Sequence, residues 1–246
     1  MTGARPQVVV ASANDLTGFG GADAIVVVDV IRATTTLATA IAQGRRCYPV
    51  GSVEDALALE KRLTSPVLAG ELGGVVPDGF ELRNSPSAFA SRDDVSRPLV
   101  LLTTSGTRLL ASASPTQSVF AACLRNWSAE VERLVASGSR DIALIGAATR
   151  GRFRREDQLC CAWIASGLLD RGFQPADAFT LHIVERWRDL PVTTVAYGES
   201  AGYLRRSGQL ADLDYVLEHV DDLDLTMRLE GFEIIPGARE LVKQAA

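Results

Sequence analysis

The chain has 246 residues, 47% of them hydrophobic, and a formal net charge of −5. That is ample apolar material for a sizeable core in one large α/β domain or two smaller lobes. The acidic balance argues against nucleic acid as the main partner, because binding a phosphate backbone needs a basic surface, and without a run of about 18 apolar residues no membrane span is expected.

Residues 7–11 read as a first strand, followed by a turn-rich connection through Asn14, Asp15 and Gly18 to Gly21. Residues 25–28 form a short β-branched run that suits a strand covered on both faces. This strand delivers Asp29 and Arg32, and then a helix that starts at the threonines 34–36 and stays apolar through Leu37, Ala38, Ala40 and Ile41. Gln43-Gly44 stops that helix, glycine being free to adopt the left-handed conformation past a helix end. A strand is expected over 46–50, and Ser52 is an N-cap with Glu54 and Asp55 in the first turn. Val53, Ala56, Leu57 and Leu63 mark the buried side of the helix it opens.

Residues 67–70 are a further strand that runs into a long glycine-punctuated loop, 71–86, of a length that is uncommon in compact domains unless functional. Strands follow at 99–102, 119–124 and 141–145, with a helix from about Ser128 and another opening with Glu156-Asp157. Leu159, Cys160, Trp163, Ile164 and Leu168 recur at helical spacing, so Cys160 reads as a small buried hydrophobe. Two more helices are expected, over 178–187 and 210–220, with Asp212, Asp214, Asp221, Asp222 and Asp224 as a solvated face. The strand–helix rhythm predicts a three-layer α/β fold, its sheet mainly parallel or mixed with helices on both faces. Residues 1–246 are read as a single α/β domain or as two lobes, with a more helical C-terminal part from about residue 175.

Three strands end in polar, small-residue loops that start helices, after Val28, Leu102 and Ile145. In an open α/β sheet such loops line the carboxyl edge of the strands, where ligands bind. Asp29, Glu71, Glu156 and Asp157 are candidate metal-binding carboxylates, although a strand-end aspartate such as Asp29 can also cap the next helix or pair with an arginine. Thr34, Thr35, Thr104, Ser105 and Thr107 offer hydroxyls and backbone N–H groups to a phosphoryl group. Oxygen donors with few imidazoles favour Mg²⁺ or Mn²⁺ over zinc.

Several chemistries are excluded by absence. His182 and His219 are the two histidines, each far in sequence from these loops, which argues against histidine-nucleophile and Ser-His-Asp hydrolases. No cysteine is followed by an arginine at the spacing of a thiolate phosphatase loop, and no G-x-x-x-x-G-K run is present. Gly18-Phe19-Gly20-Gly21 precedes a strand instead of opening a helix, so it fails as a dinucleotide fingerprint. Ile31 stands where an aspartyl-phosphate phosphatase needs its second carboxylate. Cys47, Cys123, Cys160 and Cys161 show no zinc-type spacing, adjacent Cys160-Cys161 is a poor geometry for a mutual disulfide, and residues 1–7 carry no apolar leader, so a reduced, cytoplasmic enzyme is expected.

Four segments together resemble the 2-phosphosulfolactate phosphatase family: Val27-Val28-Asp29-Val30-Ile31-Arg32-Ala33-Thr34-Thr35-Thr36; Gly70-Glu71 with the 79–86 segment ending Arg83-Asn84-Ser85-Pro86; Thr103-Thr104-Ser105-Gly106-Thr107-Arg108; and Glu156-Asp157-Gln158-Leu159-Cys160. Each is modest alone, but all four occur in the family's order. The resemblance implies Mg²⁺-dependent hydrolysis of a phosphomonoester with release of inorganic phosphate. The namesake substrate carries a phosphate, a carboxylate and a sulfonate and belongs to coenzyme M synthesis. The catalytic set expected on this basis is Asp29, Arg32, Glu71 and Asp157, with Asp29 holding the metal alongside Glu71 or Asp157 and Arg32 countering transition-state charge, and the resemblance adds Asn84, Ser85 and Gly106 to the expected substrate-binding set. Two departures stand out: Leu72 replaces the family's arginine after the glutamate, and Ser105 replaces its asparagine. Arg150, Arg152, Arg154 and Arg155 are candidates to supply the missing cation. The expected partner is a small phosphorylated acidic metabolite, neither nucleic acid nor membrane, and self-association into a homo-oligomer stays open. The alternative from another class is a binding protein that holds a small phosphorylated or carboxylated metabolite without turning it over.

Overall fold

A computed structural model of the chain describes residues 5–238. The expected absence of an apolar leader falls partly on residues 1–4, outside the described residues. The elements in order are β1 (Gln7–Ala13), β2 (Ala24–Val28), α1 (Ala33–Ala42), β3 (Cys47–Val50), α2 (Val53–Glu60), β4 (Val67–Gly70), α3 (Pro86–Ala90), β5 (Leu99–Leu102), α4 (Gly106–Ala111), β6 (Val119–Ala122), α5 (Trp127–Ala136), β7 (Asp141–Ala147) and α6 (Arg155–Leu169). A two-residue β8 (Gln174–Pro175) follows, then α7 (Ala178–Trp187), a 3-10 segment (Val192–Tyr197), α8 (Glu199–Arg206), α9 (Leu210–Glu218) and the hairpin β9 (Leu225–Glu230) and β10 (Glu233–Ala238).

The strands form one mixed sheet in the order β4-β5-β3-β10-β9-β6-β2-β7-β1-β8. Two parallel blocks, β4-β5-β3 and β6-β2-β7-β1-β8, are joined by the antiparallel β9–β10 hairpin. The result is a three-layer α/β fold. The junction is narrow: β10 pairs with β3 only at Ile234–Cys47.

Residue alternation on β2 shows why that strand is apolar throughout. Val26 and Val28 pack into a cluster with Leu159, Ile164 and Ile183 from α6 and α7, while Ile25 and Val27 face Leu37 and Leu109 from α1 and α4. Each such valine or isoleucine buried on both faces contributes about 1.5–3 kcal/mol. The second cluster also takes in Val67, Leu99 and Leu101, so α1 and α4 are packed between the two blocks. The outer face of the smaller block, with Tyr48, Leu68, Val100 and Leu102, is covered by α2. This arrangement lets α4 leave β5 and still reach β2.

Local signals account for most of the boundaries. Gly44 ends α1 with φ +87°, and the Ser52 hydroxyl accepts from the Asp55 N–H at 3.0 Å to open α2. Leu57, expected on the buried side of α2, is instead exposed; Ala56 is the buried residue and Leu59 packs in its place. The β9–β10 hairpin lies outside the sequence-based expectations; its ladder includes Pro236, which lacks an N–H, opposite Met227. A second correction concerns Asp212, expected to be solvated but only 3% exposed.

Glu130, on α5, is fully buried, and among the described residues neither of its carboxylate oxygens has a hydrogen-bond partner. Burial pushes its carboxyl up to about 8, with Arg133 pulling the other way. A carboxyl raised on folding costs nothing below its unfolded value of about 4.3; the cost grows as pH rises and is complete above the folded value. Glu130→Gln is therefore expected to raise the melting temperature at pH 9 by several degrees and to leave it nearly unchanged at pH 5. Equal shifts at the two pH values would contradict this account.

Candidate active site

The turn between β2 and α1 is knitted by its own threonines. Thr34 Oγ1 donates to the Asp29 carbonyl at 2.8 Å and accepts from the Asp29 N–H at 3.1 Å, and Thr35 Oγ1 donates to the Val30 carbonyl at 2.7 Å. Both side chains are buried and their hydroxyls are taken up by backbone, so neither faces the cavity described below. Asp29 itself does face it. Glycine at 106, the first residue of α4, is required by this approach, since a Cβ there would overlap the Asp29 carboxylate and the Ala33 methyl.

The loop after β5 is braced reciprocally: the Thr103 N–H donates to Thr107 Oγ1 at 2.7 Å and the Thr107 N–H donates to Thr103 Oγ1 at 3.1 Å. Thr107 is thereby consumed in the loop's own structure, leaving Thr103, Thr104 and Ser105 at the cavity. Thr104 Oγ1 donates to Glu71 Oε1 at 3.2 Å and accepts from the Gly73 N–H at 2.8 Å. The other Glu71 oxygen accepts from the Gly74 N–H. Ser105 Oγ lies 3.1 Å from Thr149 Oγ1, tying the loops after β5 and β7 together. Thr36 Oγ1 donates to Asn84 Oδ1 at 2.7 Å, and the Ser85 hydroxyl caps α3 through the Ala88 N–H at 3.2 Å.

These loops enclose a cavity of about 550 Å³ lined by Asp29, Arg32, Glu71, Asn84, Thr103, Thr104, Ser105, Thr149, Arg150, Arg152 and Arg154. Its opposite wall comes from residues 197–206: Tyr197, Gly198, Glu199, Ser200, Gly202, Tyr203, Leu204 and Arg206. Arg152 and Arg154 pair with Glu199, whereas Arg150 and Arg206 have no ion pair among the described residues. Arg155 does not line the cavity, and neither does Leu72, which sits across a tight turn from Val75.

Glu156 and Asp157 are 1% and 2% exposed and lie outside the cavity lining. Asp157 Oδ1 accepts from the Val30 N–H at 2.8 Å and so pins the turn that carries Asp29. Glu156 lies beneath Gly198 at the start of α8; burial raises its carboxyl, and among the described residues neither of its carboxylate oxygens has a hydrogen-bond partner. Burial pushes the Asp29 carboxyl up to about 7, and Glu156 and Glu71 add to the rise, while the N–H groups of Ala33 and Gly106 oppose it. Asp157 is also raised, by burial first and then by Glu156 and Asp29. Negative charge is thus crowded beneath a rim that carries several arginines. Among the described residues no group of three or more His, Cys, Asp or Glu side chains is gathered to hold a metal ion.

Sequence reasoning missed the 197–206 wall and the buried Asp212 that pairs with Arg32. Asp212 had a signal: it lies four residues before Val216 on α9, on the same helix face as that buried valine. The segment 197–206 had none, because its polar residues read as surface.

An α/β fold with a polar, arginine-bearing cavity at the carboxyl ends of β2, β4, β5 and β7 belongs to the class of α/β proteins whose ligand sites lie at that edge of the sheet. A family model described as 2-phosphosulpholactate phosphatase matches residues 13–231, and the chain belongs to the 2-phosphosulfolactate phosphatase family. A probable 2-phosphosulfolactate phosphatase of Prochlorococcus marinus is 30% identical over 220 residues, covering 87% of this chain and 88% of the relative. One from Caldanaerobacter subterraneus subsp. tengcongensis is 28% identical over 212 residues, 84% and 87% of the two chains. One from Thermotoga maritima is 38% identical over 144 residues, 58% and 61% of the two chains.

Proposed function

We propose that the chain is a phosphomonoester hydrolase that releases inorganic phosphate from a small acidic phosphometabolite, with the relatives' printed substrate, 2-phosphosulfolactate, the first candidate. The observation that carries the reading is the meeting of Asp29, Arg32, Glu71, Thr104 and Ser105, from loops remote in sequence, at a single arginine-lined cavity. A cavity of that size and charge suits a compact polyanion. All four cysteines are buried and unpaired, which agrees with a reduced cytoplasmic setting. No described helix is long and apolar enough to cross a membrane.

Mg²⁺ is part of the proposal. The donor set fits it: Asp29 is a carboxylate raised by burial and then by neighbouring acids, with no cation partner among the described residues, and Glu71 is the other carboxylate on the same side of the cavity. Mg²⁺ commonly takes one or two protein carboxylates plus substrate phosphate oxygens and water, so the lack of a three-residue cage does not count against it. When bound by Asp29 and Glu71 it would neutralise phosphoryl oxygens and make a water molecule more acidic. Arg32 would bind a non-bridging phosphoryl oxygen and counter the charge that grows there. Arg150 and Arg206, free of ion pairs among the described residues, would hold the substrate's remaining anionic groups and substitute for the cation lost at Leu72. Thr104 and Ser105 would fix the orientation of the phosphoryl group, with the Thr104 hydroxyl already directed by Glu71.

Phosphate release from a panel of phosphomonoesters that includes 2-phosphosulfolactate, measured with Mg²⁺ and again with EDTA, tests this. Turnover that EDTA abolishes and Mg²⁺ restores is expected. Tight binding of the same compounds with no phosphate release would favour the binding-protein reading instead.

A further inference from the structure

Arg32 does not reach the cavity unaided. Its Nη1 donates to Gln209 Oε1 at 2.6 Å and to Asp212 Oδ2, both on the α9 side of the molecule and nearly 180 residues away in sequence. The Arg32–Asp212 pair is buried, with side-chain exposures of 6% and 4%. Asp212 is held in turn on its other oxygen: Oδ1 accepts from Ser85 Oγ and Ser87 Oγ, each at 2.6 Å, and from the Ser87 N–H at 3.2 Å. The remaining guanidinium nitrogens of Arg32 carry no protein hydrogen bond among the described residues, and the side chain lines the cavity. One end of the fork is therefore anchored and the other is left for a ligand.

We propose that Asp212 is a positioning residue that aims Arg32 at the phosphoryl group, an assignment that rests on the phosphatase reading above. A carboxylate saturated by three donors on one oxygen cannot rotate, so its second oxygen presents a fixed acceptor to Nη1. The α3 loop, α9 and the turn after β2 are thus locked to one another through a single buried charge. Neutral asparagine cannot reproduce this, because its amide N–H₂ must face either Arg32 or the Ser87 N–H, donor against donor. Misorienting a charge at the reacting centre by about 1 Å costs on the order of a hundredfold in rate.

The test is a double-mutant cycle on Arg32→Ala and Asp212→Asn, with phosphate release from the panel as readout and melting temperature as the folding control. Asp212→Asn is expected to lower kcat/KM by about a hundredfold, mostly through kcat, since the charge Arg32 meets grows in the transition state. In the Arg32→Ala background the same substitution is expected to change turnover by no more than about twofold, the limit of ordinary additivity error. Gln209→Ala, at a partly exposed acceptor of the same Nη1, supplies a second arm should Asp212→Asn not fold: a smaller loss, also abolished without Arg32. Equal losses with and without Arg32, or wild-type turnover in Asp212→Asn, would overturn the assignment and leave Asp212 a brace for α9. Inorganic phosphate binding by calorimetry on the same proteins separates the two levels of failure. A wild-type chain that neither releases nor binds phosphate sinks the phosphatase reading and this proposal with it, whereas an active wild type with an additive cycle sinks this proposal alone.

Discussion

Asp29→Asn is expected to lower turnover by roughly a thousandfold, the upper range for removing one preorganised charge at a reacting centre, and to leave the fold intact. The asparagine is the same size, and the surrounding Thr34 and Thr35 hydrogen bonds are to backbone and do not depend on the carboxylate. The pH dependence of stability gives the prediction a second side. Because burial raises the Asp29 carboxyl to about 7 in the folded chain, the folded state favours its protonated form. The stability penalty is absent below the unfolded value of about 3.9, grows through the interval and is complete above about 7. In EDTA at pH 8 the asparagine variant should accordingly melt no lower than wild type, and at pH 4 the two should coincide. Retained turnover in Asp29→Asn would mean that the reaction is organised around another group. A markedly lower melting temperature would mean that the carboxylate is a structural cap.

Gly106→Ala is expected to lose turnover by about a hundredfold, although it adds only a single methyl and removes no proposed catalytic side chain. The new Cβ would have to occupy space now held by the Asp29 carboxylate and by the Ala33 methyl, both of which belong to the tightly bonded turn after β2. Either Asp29 or the start of α4 must move, and the second option drags Ser105 away from Thr149. The check is kcat and KM for the variant, with far-ultraviolet circular dichroism to show that the sheet is preserved. Turnover within threefold of wild type would show that the contact between these loops has no part in the reaction.

Much of the architecture was readable one segment at a time. The β-branched run of β2, the Ser52 cap and the Gly44 stop are local signals, each set by backbone sterics or by a hydrogen bond within a few residues. The helix expected over 178–187 is found as Ala178–Trp187, its N-cap Asp177 accepting from the Thr180 N–H. The β9–β10 hairpin lay outside those expectations, its pairing being decided by the two parallel blocks on either side.

The candidate site divides along the same line. Composition and motif order determined, without coordinates, which residue types this protein brings to its loops: Asp29, Arg32 and Glu71 together with Thr104 and Ser105. Which of them face a common cavity was decided by tertiary structure alone. Thr34, Thr35 and Thr107 spend their hydroxyls on neighbouring backbone, and Glu156 and Asp157 are buried outside the cavity lining. Asp212 passed for a surface residue until α9 was folded against α3. A hydroxyl or carboxylate has the same sequence signature whether it serves a ligand or a backbone amide. The difference lies in where its lone pairs point, and that depends on contacts made across the chain.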